Sequence, residues 1–301
     1  MRWIGLSKIN SKIAFVILIF TIIVVSNSAY SDISFTVSPM TVELEKNAGD
    51  VYTGVITVDN EGSNNQSLFL QTYIADWYLN DAGNQVFQKA TTSEATALEA
   101  TALKAMILEH SCSKWITVNP SEFEISPGEF QKIRYTITVP PEANGDYWIT
   151  LFIKSIPPPE NSDNKPKNGT IMSGQIGATI YVTTPKSKKD CKIESFVIDS
   201  QHAEITLKNL GQAHIRAKGE LKIEAIEGKY KNSLQVPATL ILPASAPVNT
   251  RKISINFKDA NIVIPKGKYQ ATLVIDYKGD VLKGARQQFN VEEGQDSDKG
   301  K

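Results

Sequence analysis

The sequence is poor in the side chains that do chemistry. Its 301 residues include three histidines, His110, His202 and His214, and two cysteines, Cys112 and Cys191. A metal centre needs three or four converging ligands. His202 and His214 flank an expected hairpin and could lie near each other, but no third ligand stands beside them. Exposed, unremarkable histidines are the plainer expectation. No serine sits in the strand-to-helix turn of a nucleophile elbow. No glycine-rich loop follows a strand in the manner of a phosphate cradle. Asp76–Asn84 has oxygen-bearing residues like a calcium loop, yet it lacks the correctly spaced bidentate glutamate. The sequence therefore predicts no enzyme, no catalytic residues, no metal, no cofactor and no small-molecule substrate.

Charge of one sign is absent as well, with 32 Lys and Arg against 32 Asp and Glu. Without Arg2, Lys8 and Lys12 of the N-terminal segment, 29 basic residues face 32 acidic ones. Nothing here favours nucleic acid, whose affinity rests on clustered cations. Long apolar runs are missing beyond Ile13–Val25, which is interrupted only by Thr21. That run is shorter than the roughly 20 residues of a spanning helix. Basic residues precede it, and Ser26, Ser28, Ala29 and Ser31 follow it. Residues 1–31 thus read as a secretory signal, with an uncleaved anchor as the alternative. The chain is therefore expected to be exported, with membrane contact only through this segment; the resemblance named below makes the periplasm the expected destination, with the cell surface as the alternative.

What remains is alternation. In Phe130–Val139, Ile133, Tyr135, Ile137 and Val139 alternate with polar residues, the period of a half-buried strand. In Tyr147–Lys154, Tyr147, Ile149, Leu151 and Ile153 share one face and Trp148, Thr150 and Phe152 the other, so this strand should be central and covered on both faces. Ser126-Pro127-Gly128 carries turn chemistry, since proline presets φ and glycine accepts a positive one. Asn144-Gly145 marks another turn. Further strands are expected over Ile33–Glu45, Val51–Val58, Ser67–Tyr78 and Ile171–Thr184. Pro39 suits an edge or a switch between sheets, because proline has no N–H to donate. Thr91–His110, rich in alanine, leucine and glutamate, departs from this pattern and predicts a helix capped by Thr92 or Ser93. It reads as a loop elaboration packing Leu98, Leu103, Ile107 and Leu108 on the sandwich, or as a lid or partner contact.

The fold class is all-β: two tandem immunoglobulin-like sandwiches with a helical insertion, about residues 91–110, in the first. The expected division is 1–31 signal, 32–184 first sandwich, 185–190 a lysine-rich solvated linker, 191–293 second sandwich, and 294–301 a disordered tail. Strands in the second part are marked by Ala203/Ile205/Leu207, Leu221/Ile223/Ala225, Ile253/Ile255/Phe257 and Tyr269/Ala271/Leu273/Ile275. Tyr269 after Gly267 suggests a tyrosine corner, its hydroxyl bonding the chain a few residues upstream. Cys112 and Cys191 are a candidate disulfide clamping the two domains. Separate thiols or a pairing with another chain are the alternatives. Trp77, Tyr78, Trp148 and Phe152 are either a binding platform or buried packing.

The order of features resembles the PapD-like periplasmic chaperone family, which assembles pilus subunits. The resemblance is carried by Ser38-Pro39, by Ser126-Pro127-Gly128-Glu129, and by Tyr147-Trp148-Ile149-Thr150-Leu151-Phe152-Ile153-Lys154-Ser155-Ile156-Pro157-Pro158. It implies partners of the secreted or fimbrial type, engaged by strand donation along the last strand of the first domain. It also implies two basic cleft residues that hold a subunit's terminal carboxylate, at positions that match Met40 and Ile180 here. Neither can hold a carboxylate. The strand face offered to a partner would be Ile171, Ser173, Gln175, Gly177, Thr179 and Tyr181. The other face, Ile176, Ala178, Ile180 and Val182, belongs to the domain's own core. A structural or adhesive envelope protein of tandem sandwiches is the competing reading.

Overall fold

The computed structural model describes residues 34–62, 67–88, 99–158 and 173–292. The expected leader, the start of the helical insertion, Ile171 and the C-terminal tail lie outside these residues.

The first strand run breaks at Ser38-Pro39 and serves two sheets. Its first half, β1 (Phe35–Ser38), pairs antiparallel with β3 (Val51–Asn60). Its second half, β2 (Thr41–Glu45), pairs parallel with β10 (Gln175–Thr183). Pro39 sits where the chain leaves one ladder for the other, so its missing N–H costs no ladder bond. One sheet runs β1-β3-β8-β6, with β6 spanning Ile116–Asn119 and β8 Phe130–Thr138. The facing sheet runs β2-β10-β9-β4-β5, with β4 at Leu68–Leu79, β5 at Gln85–Gln88 and β9 at Asp146–Ser155. A short strand, β7 (Glu122–Ile125), pairs with the other end of β4. Between the sheets lie Ile56, Val58, Leu70, Ile133, Tyr135, Ile137, Ile149, Leu151, Ile153, Ala178, Ile180 and Val182, all buried.

The turns follow their chemistry. Glu129 N–H donates to the Ser126 carbonyl at 3.1 Å across the Pro127-Gly128 turn, where Gly128 takes φ 75°. Asn80 and Asn84 close the β4–β5 hairpin around Gly83. The helical insertion shows helix α1 over Glu99–Glu109, with Leu103 half-buried, Ile107 buried and Leu108 exposed. The expected caps Thr92 and Ser93, and Leu98, lie outside the described residues.

The second sandwich faces β11-β12-β15 with β14-β13-β16-β17. Here β11 is Cys191–Ile198, β12 His202–Asn209, β13 Ile215–Ala225, β14 Lys231–Ile241, β15 Thr250–Asn256, β16 Gly267–Asp276 and β17 Lys283–Val291. Its own core gathers Ile205, Leu207, Leu221, Ile223, Ile241, Phe257, Leu273 and Ile275. The Tyr269 hydroxyl donates to the Pro265 carbonyl at 2.7 Å, which closes the expected tyrosine corner.

The candidate disulfide is not formed. Cys112 is buried among first-domain core residues and Cys191 among second-domain ones, each as a free thiol. The linker is also more firmly held than a solvated hinge. The Lys188 carbonyl accepts from Gln212 N–H at 2.7 Å, and Asp190 pairs with Lys283 at 3.1 Å. Ser187 and Thr184 hydroxyls both bond the Gly145 carbonyl.

Candidate functional site

Two features bear on the expected partner strand: the outer edge of β10, and the junction where the second sandwich rests on the outer face of the first. Both follow from the alternation of β9 and β10. Even-numbered residues of β10 point into the core. Odd-numbered ones point outward, and their backbone N–H and C=O groups face away from β9. Thr179 N–H, for example, donates to the Met40 carbonyl at 3.0 Å, and the Thr183 carbonyl accepts from Lys46.

This geometry divides the predicted partner strand. Strand β2 covers β10 from Thr179 to Thr183. Thr179 and Tyr181, expected on an open edge, are instead buried, with their main-chain groups on the side that β2 occupies. The Thr179 hydroxyl bonds that of Thr150 at 3.0 Å. From Gln175 to Ala178, β10 has β9 on one side and no strand on the other among the described residues. By the same alternation, Gln175 and Gly177 turn N–H and C=O toward that unoccupied side. Ser173 precedes them, its hydroxyl donating to the Ser155 carbonyl at 3.0 Å. Ile171 lies outside the described residues.

The face beside this short edge is aromatic. Tyr73 stacks on Phe152 with centroids 5.1 Å apart, and Phe87 meets Phe152 edge-on at 4.8 Å. The Tyr73 hydroxyl donates to Gln175 Oε1 at 2.8 Å. Gly177 lies beneath Phe152, and a β-carbon there would fall 2.9 Å from its Cε1 and 2.6 Å from Thr150 Cγ2. Phe87 is 41% exposed.

Further along, the same outer face is dry. Trp77, Leu79, Trp148 and Tyr181 of the first domain close on Leu242 and Ala246 of the second. Trp148 donates its indole N–H to the Trp77 carbonyl at 3.0 Å. Of the two readings of these aromatics, packing holds for Trp77 and Trp148, and what covers them is the second domain. The helix end contributes His110, which stacks on Trp148 at 4.6 Å. A carbonyl can only accept, so His110 Nδ1 donates to Asp146 O at 2.8 Å. Nε2 faces the Ser245 hydroxyl of the second domain at 3.1 Å.

A polar ring borders this cluster. The Asp146 side chain is fully buried. Its Oδ2 accepts from the His214 backbone N–H at 2.8 Å and from His214 Nδ1 at 2.9 Å, and its Oδ1 accepts from Thr183 at 2.5 Å. On the other side of the imidazole, His214 Nε2 lies 3.6 Å from Glu43 Oε1, which also receives Arg216 Nε at 2.5 Å. Tyr181 packs on His214 at 4.3 Å and lies 5.4 Å beneath the Arg216 guanidinium. Burial opposes charge on His214, but the hydrogen bonds to Asp146 and Glu43 outweigh it and hold its pKa above the ordinary value. The His214 bond, with help from Arg216 and against partial burial, draws the Glu43 carboxyl down to about 2. Burial pushes the Tyr181 phenol up to about 12.

His110 and His214 are thus buried junction residues, contrary to the expectation of exposed ones. His202 is half-buried and pairs with Asp199 at 3.1 Å. Of the two positions matched to basic cleft residues, Met40 is 60% exposed and Ile180 is wholly buried in the core. The outward neighbours of Ile180 are Thr179 and Tyr181, and neither is a cation. The cation at this junction, Arg216, comes from the second domain.

No family model matches the sequence, and no curated protein matches it. Among solved structures, the chain is similar to the class 5 fimbriae chaperone CfaA, at 10% identity and a TM-score of 0.46, over 86% of this chain and 100% of that one. It is similar to a chain of the chaperone–tip adhesin complex of CFA/I fimbriae, at 11% identity and 0.45, over 85% and 98%. It is also similar to the chaperone YadV, at 12% and 0.43, over 84% and 99%. Two of these structures are chaperones and the third contains one.

Proposed function

We propose that the protein is an exported PapD-like chaperone or binding protein that engages an extended segment of a secreted, pilus-type subunit. The segment would add as a strand beside Gln175–Ala178 of β10. The observation that carries this reading is the outward-facing main-chain groups of Gln175 and Gly177, which no described strand satisfies. Under this reading Ser173, Gln175 and Gly177 meet the partner directly, and Ile171 would extend the same face. Thr179 and Tyr181 hold β2 and the second domain instead. No bond-making chemistry is required of the protein.

The test is a pair of substitutions at one position. Gln175→Pro removes an N–H that faces away from β9, so the internal ladder stays whole. Gln175→Ala keeps the N–H and removes only the side chain. Capture of subunits from the exported fraction should be lost in the first and retained in the second. Equal capture by the proline variant would refute strand addition here.

A second reading, a structural or adhesive envelope module, is favoured by the filled junction, where Trp77, Trp148, Tyr181 and Leu242 leave no basic cleft. Cell fractionation separates the two, since a chaperone is released with the soluble periplasm and a surface module is retained.

A further inference from the structure

The open edge of β10 is short, and its surroundings set what a strand there can carry. The slot beside β10 is filled from Thr179 onward by β2, which enters it through Met40. What remains is Gln175–Ala178. Across the outer face of the sheet, residues of β10, β9 and β4 stand in rows at right angles to the strands. One row is Gln175, Lys154 and Gln71. The next is Gly177, Phe152 and Tyr73, and the third is Thr179, Thr150 and Ala75. Of the three, only the middle row is aromatic, and it reaches the open edge as a glycine.

That glycine decides what the row presents to the slot. The Phe152 ring leans over Gly177, where a β-carbon would fall 2.9 Å from Cε1 and 2.6 Å from Thr150 Cγ2. Any other residue at 177 would put a side chain between this ring and the slot. The neighbouring side chain does not cross the slot either, because Gln175 turns its amide inward to the Tyr73 hydroxyl at 2.8 Å. Phe87, 41% exposed, meets the same Phe152 ring edge-on. An edge glycine is stabilised when aromatic side chains of neighbouring strands cover it. Phe152 does so from the β9 side, and no described strand stands on the other.

Building on the strand addition proposed above, on which it rests, we infer that this edge selects its segment by one position. The segment carries an aromatic or other large apolar residue beside Gly177, which completes the row of Tyr73 and Phe152. Two positions away, beside Gln175, it carries a polar residue in line with Lys154 and Gln71. The requirement holds for either strand direction, since paired residues of neighbouring strands project to the same face.

The experiment titrates the full chain with acetylated, amidated peptides and follows it by NMR. The peptides differ only in a central phenylalanine, leucine, alanine or serine, flanked on each side by valine, threonine and lysine. The amides of Gln175 and Gly177 report strand addition, and the Thr150 methyl reports what stands beside Gly177. Both amides should shift saturably. The phenylalanine peptide should bind about three- to tenfold more tightly than the alanine one, as expected for an added aromatic contact. It alone should move the Thr150 methyl by ring current. Phe152→Leu, checked for folding by circular dichroism, should bring these two peptides to about equal affinity. Gln175→Pro should abolish the Gly177 shift with every peptide. Equal midpoints across the series, with the shift still lost in Gln175→Pro, would overturn the selection and leave strand addition standing. No shift at either amide with any peptide at millimolar concentration, or a Gly177 shift that Gln175→Pro retains, would overturn strand addition and the selection with it.

Discussion

Asp146→Ala should do more damage than the loss of one surface charge, because Asp146 joins the two domains from a fully buried position. Three donors converge on its carboxylate: His214 backbone N–H at 2.8 Å, His214 Nδ1 at 2.9 Å and the Thr183 hydroxyl at 2.5 Å. Removing it leaves the His214 donors in a site where His214 is 6% exposed. A hydrogen bond to a charged group contributes about 1.5–3 kcal/mol, and breaking a buried pair by deleting one partner costs about 3–5 kcal/mol. We expect a loss within about 3–5 kcal/mol. It should fall chiefly on the junction, since each sandwich keeps its own core. In urea, a single unfolding transition should therefore split into two, read by the junction tryptophans Trp77 and Trp148 and by far-ultraviolet circular dichroism. The double variant Asp146→Ala/His214→Ala should cost less than the two single changes summed, by about 1–3 kcal/mol, because the pair acts as a unit. A loss below about 1 kcal/mol with one unsplit transition would refute the view that this carboxylate holds the domains together.

Two further outcomes are expected. His214 has a raised pKa in the folded chain, so its contribution is fully present below the unfolded value of about 6.5 and fades as pH rises through the folded one. Melting temperature should accordingly fall upward from about pH 6.5 in the wild type and stay flatter in His214→Gln, which a pH series of thermal melts would measure. Burial pushes the Cys112 thiol well up and that of Cys191 to about 11, so neither should react with a disulfide reagent in the folded protein and both should react in urea.

Local patterns in the sequence carried the strands and turns well. Period two located β8 and β9, Pro127-Gly128 located a turn, and Gly267 with Tyr269 located a corner whose hydrogen bond is present. The junction was not legible, because its contacts join residues far apart: His214 lies 68 positions from Asp146, and Arg216 lies 173 from Glu43. No local period encodes such a meeting. The cover of β10 by β2 was half legible. Pro39 announced a sheet switch, but nothing announced the register Thr179↔Thr41 that closes half of the edge. The placing of Ile180 was legible and conflicted with its match to a cleft residue. It shares parity with Ile176, Ala178 and Val182, so it had to face the core, and an outward basic role never fitted it.

The junction also limits where partner affinity can come from under the proposed mode. Arg216 already holds Glu43 at 2.5 Å. A partner carboxylate arriving there would exchange one ion pair for another and gain little. The affinity must then come from the edge and its aromatic face. Gln175 and Gly177 offer four main-chain groups, each contributing about 0.5–1.5 kcal/mol net. Four such bonds give about 4 kcal/mol, near millimolar affinity, whereas micromolar binding needs about 8 kcal/mol. The difference has to be supplied by side chains of the partner, and Tyr73, Phe87 and Phe152 lie next to the edge where such side chains would pack. Replacing Phe87, the most exposed of the three, should then weaken capture of subunits, which a pulldown from the exported fraction would measure.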